Sequence, residues 1–268
     1  MLSSRIALGP VEVDPLTQAG ALDAVERLVA AGDGGFVVTP NVDHLVLVQR
    51  DARLRDAYRR ARLSLADGQP LLWMARLLGT PLPEKVSGSD LIEPLMASAA
   101  AAGRRVFFFG ATPQVSAEAE RRLVRRHPRL KIVGRDCSSW SPADPSAPAA
   151  SPVVKAVRES RADLVVVALG SPKQEFWMAR HDKDLAPAVA IGLGASLDFV
   201  AGAVKRAPAW MSDAGLEWLY RLAQEPRRLA YRYLVRDPQI LPIFAGDLYR
   251  RAVQRRAGPL AADSRARV

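Results

Sequence analysis

A single cysteine, Cys137, stands among 268 residues. It excludes an internal disulfide and fits a reducing, cytoplasmic setting. Histidine is almost as scarce: His44, His127 and His181 show no paired metal-ligand spacing, which argues against a zinc site. No apolar run reaches the length of a bilayer-spanning helix, and the opening residues carry no signal pattern. A serine nucleophile elbow is missing too. Acidic residues are the minority charge: 28 Asp and Glu face 38 Lys and Arg, a net charge of +10. The surplus is uneven, because from Ala201 onward 13 basic residues face 6 acidic ones, a net +7. Such a tail suits an anionic partner (phosphate groups, a membrane surface or nucleic acid) unless it is only a solvated face.

What is present points to a folded α/β chain. Hydrophobic residues make up 49% of the sequence, and the length allows one large α/β domain or two small ones. The stretch Asp163–Trp177 is the most telling. Leu164 to Leu169 is an unbroken apolar run of strand length, as expected for a strand buried on both faces of a parallel sheet. Gly170-Ser171-Pro172 then breaks it, with Ser171 expected as N-cap and Pro172 at the first helical position. Lys173, Gln174 and Glu175 would form the first helical turn, where free backbone N–H groups attract anions. Strand, glycine turn and helix N-terminus make the usual ligand-binding corner of an open α/β sheet, although an ordinary connection has the same outline.

Further units of this kind surround it. Residues 1–15 are expected to add an edge strand, and Thr17–Ala31 reads as an amphipathic helix. Phe36–Val38 is a strand, and Thr39, Asn41, Asp43 and His44 follow it into a helix expected to run to about Arg53. Thr39 or Asn41 can equally be a plain cap. Leu63–Ala66 is a second strand, and Asp67-Gly68 turns it into a helix near Pro70. Leu91–Ala102 is helical. Arg105–Phe109 leads through Gly110 into the helix Val115–Arg126, and Leu130–Val133 is another strand. Gly110 follows its strand as in a mononucleotide-binding unit, without the full dinucleotide glycine fingerprint. Ser138–Pro152 should be a loop beside the crevice. Ala188–Leu193 is the last strand, and its turn carries Asp198. Beyond Lys205-Arg206, two basic amphipathic helices are expected at 216–222 and 226–234, then an apolar patch at 240–244.

Asp182-Lys183-Asp184 matches a loose metal-binding pattern of nucleotide-sugar enzymes, but it lies at the far end of a helix from the Gly170 turn. A solvated loop is the better reading. What remains is one carboxylate, Asp67, at a strand end, with arginines elsewhere in place of a metal. That combination suits displacement of a phosphate leaving group: a general base for the attacking hydroxyl and cations for the departing charge.

Ordered landmarks then give the chain a family. They are Thr39-Pro-Asn41, Ala66-Asp67-Gly68, Val86-Ser-Gly88-Ser-Asp90, Phe108-Phe-Gly110, Asp163-Leu, Gly170-Ser-Pro-Lys-Gln-Glu175, Gly192-Leu-Gly194 with Asp198 and Ala201-Gly202, Arg206-Ala-Pro208, and Gly215-Leu-Glu-Trp-Leu-Tyr-Arg221 with Glu225-Pro-Arg227. From about Thr17 to Leu234 the sequence resembles the WecG/TagA/CpsF family of bacterial glycosyltransferases. The resemblance implies a metal-independent, inverting transfer from a UDP-sugar to a polyprenyl-diphosphate-linked sugar, with no cofactor. It makes Asp67 the catalytic base, puts Thr39 in the same pocket and assigns Gln174 and its neighbours to the nucleotide-sugar. Arginines of the tail, among Arg206, Arg221, Arg227, Arg228 and Arg232, would close over the diphosphate at the membrane. Cys137-Ser-Ser-Trp140 and Asp43-His44 depart from the family pattern, which leaves the sugar open between N-acetylmannosamine, its uronic acid, glucose and others.

The expected architecture is a mostly parallel, Rossmann-like sheet flanked by helices over residues 1–205. A basic, membrane-facing helical appendage over 206–256 and a disordered tail over 257–268 follow. Such an enzyme would sit on the cytoplasmic face of the membrane without binding nucleic acid; whether copies self-associate stays open. A non-catalytic nucleotide binder whose tail grips RNA or a partner is the other reading.

Overall fold

The computed structural model describes residues 4–142 and 152–257. The chain begins with a hairpin, β1 (Ile6–Leu8) and β2 (Val11–Val13), and then α1 (Gln18–Ala31). β3 (Gly35–Val38), α2 (Val42–Arg50), α3 (Ala52–Arg60), β4 (Leu63–Ser64), α4 (Gln69–Leu77) and α5 (Gly88–Ala102) follow. Next come β5 (Arg105–Gly110), α6 (Pro113–Arg126), β6 (Lys131–Asp136), α7 (Pro152–Glu159), β7 (Leu164–Ala168), α8 (Lys173–Leu185), β8 (Val189–Gly192) and α9 (Ser196–Ala201). The C-terminal part holds α10 (Ala209–Asp213), α11 (Glu217–Gln224), α12 (Pro226–Tyr231), a π turn over Arg232–Arg236, a 3-10 turn over Asp237–Gln239 and α13 (Ile240–Ala257).

Six strands form one parallel sheet in the order β4-β3-β8-β7-β5-β6. All five residues of β7 are buried, as an apolar run between two helical layers requires. Alternate residues feed two cores. Phe36, Phe107, Phe109, Val165 and Val167 pack on one face, while Val37, Val106, Phe108, Val166 and Ile191 pack on the other. This is the expected α/β, Rossmann-like sheet. The chain leaves β3 for one edge, leaves β5 for the other, and returns through β7 and β8 to the middle. The carboxyl ends of β3, β4, β7 and β8 therefore surround one crevice, where the strand order reverses.

Several local expectations change. The first strands pair only with each other, so they add no edge to the main sheet. The helix expected to reach Arg53 stops at Arg50, because Asp51 leaves the helical region and its carboxylate caps α3 through the N–H groups of Arg53 and Leu54. α8 begins at Lys173 with Pro172 at its cap position and no side-chain cap, so Ser171 is not the expected N-cap. Asp182 and Asp184 lie in the last turn of that helix rather than in a loop. α7 occupies a stretch assigned no element from sequence. The Ser138–Pro152 loop lies mostly outside the described residues, as does the tail beyond Ala257.

Beyond Arg206 the chain packs back on the domain. Leu229 is buried, and Ile240 and Phe244 pack against the core beside α2. α13 also presents Leu241, Leu248, Tyr249 and Val253 to the exterior.

Candidate active site

The strand-end crevice is a cavity of about 590 Å³. Thr39 and Asn41 enter it past the end of β3, Asp67 past β4, Gly170 from the turn after β7, Gln174 from the start of α8, and Asp198 from the first turn of α9 rather than from the turn expected to carry it. Arg221, Arg228 and Arg232 close it from the C-terminal helices. A larger basin of about 1200 Å³ lies between the hairpin and α13, rimmed by Arg5, Arg55, Arg59, Arg250 and Arg251. There, Arg5 and Arg250 pair with Asp14 and Asp247, while Arg55 and Arg251 donate to main-chain carbonyls. No strand of the six-stranded sheet ends in it, so the chemistry is sought in the first.

Main-chain bonds fix the strand-end wall. The Asp67 N–H donates to the Pro40 carbonyl at 2.8 Å, and Val86 N–H to that of Ala66 at 2.8 Å. Gly68 (φ 104°) and Gly170 (φ 75°) take up backbone angles that a side chain would strain, so each strand turns at once into its helix. The buried Thr39 hydroxyl donates to the Gly192 carbonyl at 3.0 Å, joining the ends of β3 and β8. Gln174 is 2% exposed and works as a strut. Its Oε1 accepts from Gly194 N–H at 3.1 Å, and its Nε2 donates to Glu175 Oε1 at 3.0 Å.

Asp67 is half-buried, and its only side-chain partner among the described residues is Asn41, whose Nδ2 donates to Oδ2 at 3.5 Å. Burial, joined by the nearby Glu217 carboxylate, pushes its pKa up to about 6, while Lys85 and Asn41 pull the other way. A carboxyl poised there can take a proton near neutral pH. Burial also opposes the charge on Lys85, but Asp90, 2.9 Å away, outweighs it and holds the ammonium in its charged form.

A second titratable group lies deeper. Glu175 is fully buried, and desolvation raises its pKa to about 7. His44 approaches its Oε1 at 4.0 Å and meets the Tyr58 hydroxyl at 2.8 Å through Nδ1. Burial, with the charges of Arg232 and Arg236, lowers the His44 pKa to about 3, so the ring is neutral.

Not every candidate reaches the cavity. Gly110, Lys173, Glu175, Arg206 and Arg227 are absent from its lining. A Cβ on Gly110 would sit 2.7 Å from the carbonyl of Ala168, so that glycine lets β5 lie against β7. Lys173 and Arg227 are exposed, and Arg206 pairs with Asp90 at 3.3 Å. At the far end of α8, Asp182 pairs with Arg60 at 2.7 Å and Asp184 lies 3.4 Å from His181. Sequence reasoning passed over Lys85 and Glu217, which line the cavity. Both lie in or beside quoted landmarks: Lys85 precedes Val86-Ser-Gly88, and Glu217 sits within Gly215–Arg221.

The model of the glycosyl transferase WecG/TagA/CpsF family matches residues 6–256. The chain belongs to that family. A WecG/TagA/CpsF member is a glycosyltransferase, so the cavity is read as a sugar-transfer site. The chain is also 35% identical over 195 residues to a protein of Bacillus spizizenii (strain ATCC 23059 / NRRL B-14472 / W23), covering 73% of each chain. That relative is an N-acetylglucosaminyldiphosphoundecaprenol N-acetyl-beta-D-mannosaminyltransferase. No described helix of this family member is long and apolar enough to cross a membrane.

Proposed function

We propose that the protein transfers N-acetylmannosamine from a UDP-sugar to N-acetylglucosamine carried on a polyprenyl diphosphate, inverting the anomeric centre without a metal. The observation that carries the reading is Asp67, poised at about 6 in a cavity whose other wall holds Arg221, Arg228 and Arg232. The identity of the acceptor and of the sugar is supported by the name of the Bacillus relative.

In this reading Asp67 removes the proton of the acceptor hydroxyl as its oxygen attacks the anomeric carbon. The bond from that carbon to the UDP oxygen breaks in the same step. The charge appearing on UDP is met by the tail guanidiniums, which act where it develops. Asn41 orients the base through its 3.5 Å contact.

The acceptor is a membrane lipid, and the enzyme would work peripherally at the cytoplasmic face. The net +7 of the tail and its exposed Trp218, Leu219, Leu241 and Tyr249 support such docking, since basic residues are drawn to anionic headgroups and exposed apolar side chains enter the acyl boundary. Each basic residue near an anionic surface contributes about 1 kcal/mol. The purified chain should convert UDP-N-acetylmannosamine and a polyprenyl-diphosphate N-acetylglucosamine into the disaccharide lipid, measured by product mass. Turnover with UDP-glucose but not UDP-N-acetylmannosamine would reassign the donor. No turnover with any UDP-sugar would favour a nucleotide-binding role.

A further inference from the structure

We propose that Asp43 is a positioning residue: it latches the C-terminal segment onto α2 and thereby sets Arg232 over the catalytic cavity. The inference deepens the transferase reading above and rests on it for its kinetic consequence.

Asp43 lies in the first turn of α2, where a carboxylate is favoured by the helix N-terminus, yet it is only 3% exposed. What covers it comes from nearly two hundred residues along the chain. Arg232 Nε lies 3.3 Å from Asp43 Oδ2, and Arg236 donates to the same oxygen at 3.0 Å through Nη2. Arg236 Nε also pairs with Asp43 Oδ1. Arg232 and Arg236 stand at the two ends of the π turn, four residues apart, so their guanidiniums fall on one face and share one carboxylate. Asp237 Oδ2 is farther from Arg232 Nε, at 3.8 Å.

The contact continues into the site. Arg232 Nη2 donates to Asn41 Oδ1 at 3.3 Å, and Asn41 Nδ2 donates to Asp67 Oδ2 at 3.5 Å. Arg232, Asn41 and Asp67 line the cavity, whereas Asp43 and Arg236 do not. Of the two arginines that Asp43 holds, Arg232 is the one that lines the cavity, so the latch acts on the reacting centre through Arg232. From α11 to the π turn the attachment is otherwise thin, since α11 has no buried residue, α12 has only Leu229 and the π turn has none; α13 anchors the chain beyond it through Ile240 and Phe244. A buried carboxylate holding two guanidiniums is then the contact that fixes where Arg232 points, and losing one partner of such a pair is strongly disruptive.

The test uses the full chain with Asp43→Asn, Arg236→Gln, Arg232→Gln and the two doubles that combine Arg232→Gln with each of the others. In the ligand-free protein, backbone hydrogen exchange across residues 226–239 should speed up in both Asp43→Asn and Arg236→Gln. In the transfer assay both should lower kcat by about a hundredfold, as displacement of a positioned group does, with a smaller change in the donor KM. In the Arg232→Gln background either change should cost no more than about twofold further. Exchange unchanged in both variants overturns the latch. So does a kcat loss that adds in full to that of Arg232→Gln, because a merely structural role would add. If Asp43→Asn fails to fold, Arg236→Gln severs the same contact from the solvent side and decides the question alone. Absence of transfer by the wild-type chain sinks the functional reading only, and the exchange result still decides the latch.

Discussion

Thr39 and Asp67 stand on turns, and Gln174 in the first turn of α8, just past strands buried in the sheet, whereas Arg221, Arg228 and Arg232 stand on short helices with almost no buried residues. The first wall of the cavity is held by main-chain hydrogen bonds such as Asp67 N–H to Pro40 and by a core on both sheet faces. The second is held to the domain by charge, Arg232 on Asp43 and Arg206 on Asp90, with Leu229 as its one buried apolar contact in α11 and α12. A fixed wall can carry a base that must meet a hydroxyl within hydrogen-bond reach. A wall held by ion pairs suits cations that grip a diphosphate and let it go.

Replacing the chemistry of the fixed wall should have the largest effect. Asp67→Asn keeps the shape and the Asn41 contact, so turnover should fall roughly 10²–10⁴-fold while UDP binding, measured by calorimetry, changes little. Near wild-type turnover would remove Asp67 from the mechanism and favour a pure nucleotide binder. On the charged wall, Arg228→Ala should lower kcat by about 10²-fold, as loss of one donor to a developing charge does. Equal losses in UDP affinity and in turnover would mean that Arg228 only binds the ground state.

Titration sharpens the contrast. In the proposed mechanism Asp67 acts in its ionised form, which predicts that kcat/KM rises through pH about 6 on the acid side. Glu175 affects stability instead. Its folded pKa is raised from 4.5 to about 7, so its contribution is fully present below 4.5 and is lost as pH rises through about 7. Glu175→Gln carries no such penalty, and its thermal midpoint should exceed wild type by roughly 7 °C at pH 8 and by much less at pH 5. Equal differences at both pH values would show that Glu175 does not titrate in this window.

The smallest effect belongs to the far end of α8. Asp182→Ala with Asp184→Ala should leave turnover almost unchanged, and transfer should survive excess EDTA. The lost Arg60 pair should lower stability by no more than about 1 kcal/mol, as a partly exposed ion pair does. Transfer abolished by EDTA and restored by Mn²⁺ or Mg²⁺ would instead make a metal part of the site.

Much of this protein was legible along the chain because the relevant forces are local there. An unbroken apolar run such as Leu164 to Leu169 has few structures open to it besides a strand buried on both faces, and a glycine just after it has to turn the chain. Asp67-Gly68 after one strand and Gly170 after another were therefore enough to place two sides of the crevice. Tertiary structure decided what depends on distant partners. Lys85 and Glu217 became cavity groups only when two landmarks met across the crevice. Gln174 also became a strut of the crevice, because the fold brings Gly194 N–H onto its Oε1. Ser171 reads as a cap in sequence, but α8 starts one residue past Pro172 instead. Asp43 reads as an ordinary first-turn acid until Arg232 and Arg236 bury it, because the energy of a buried charge depends on which opposite charges the fold brings within about 4 Å.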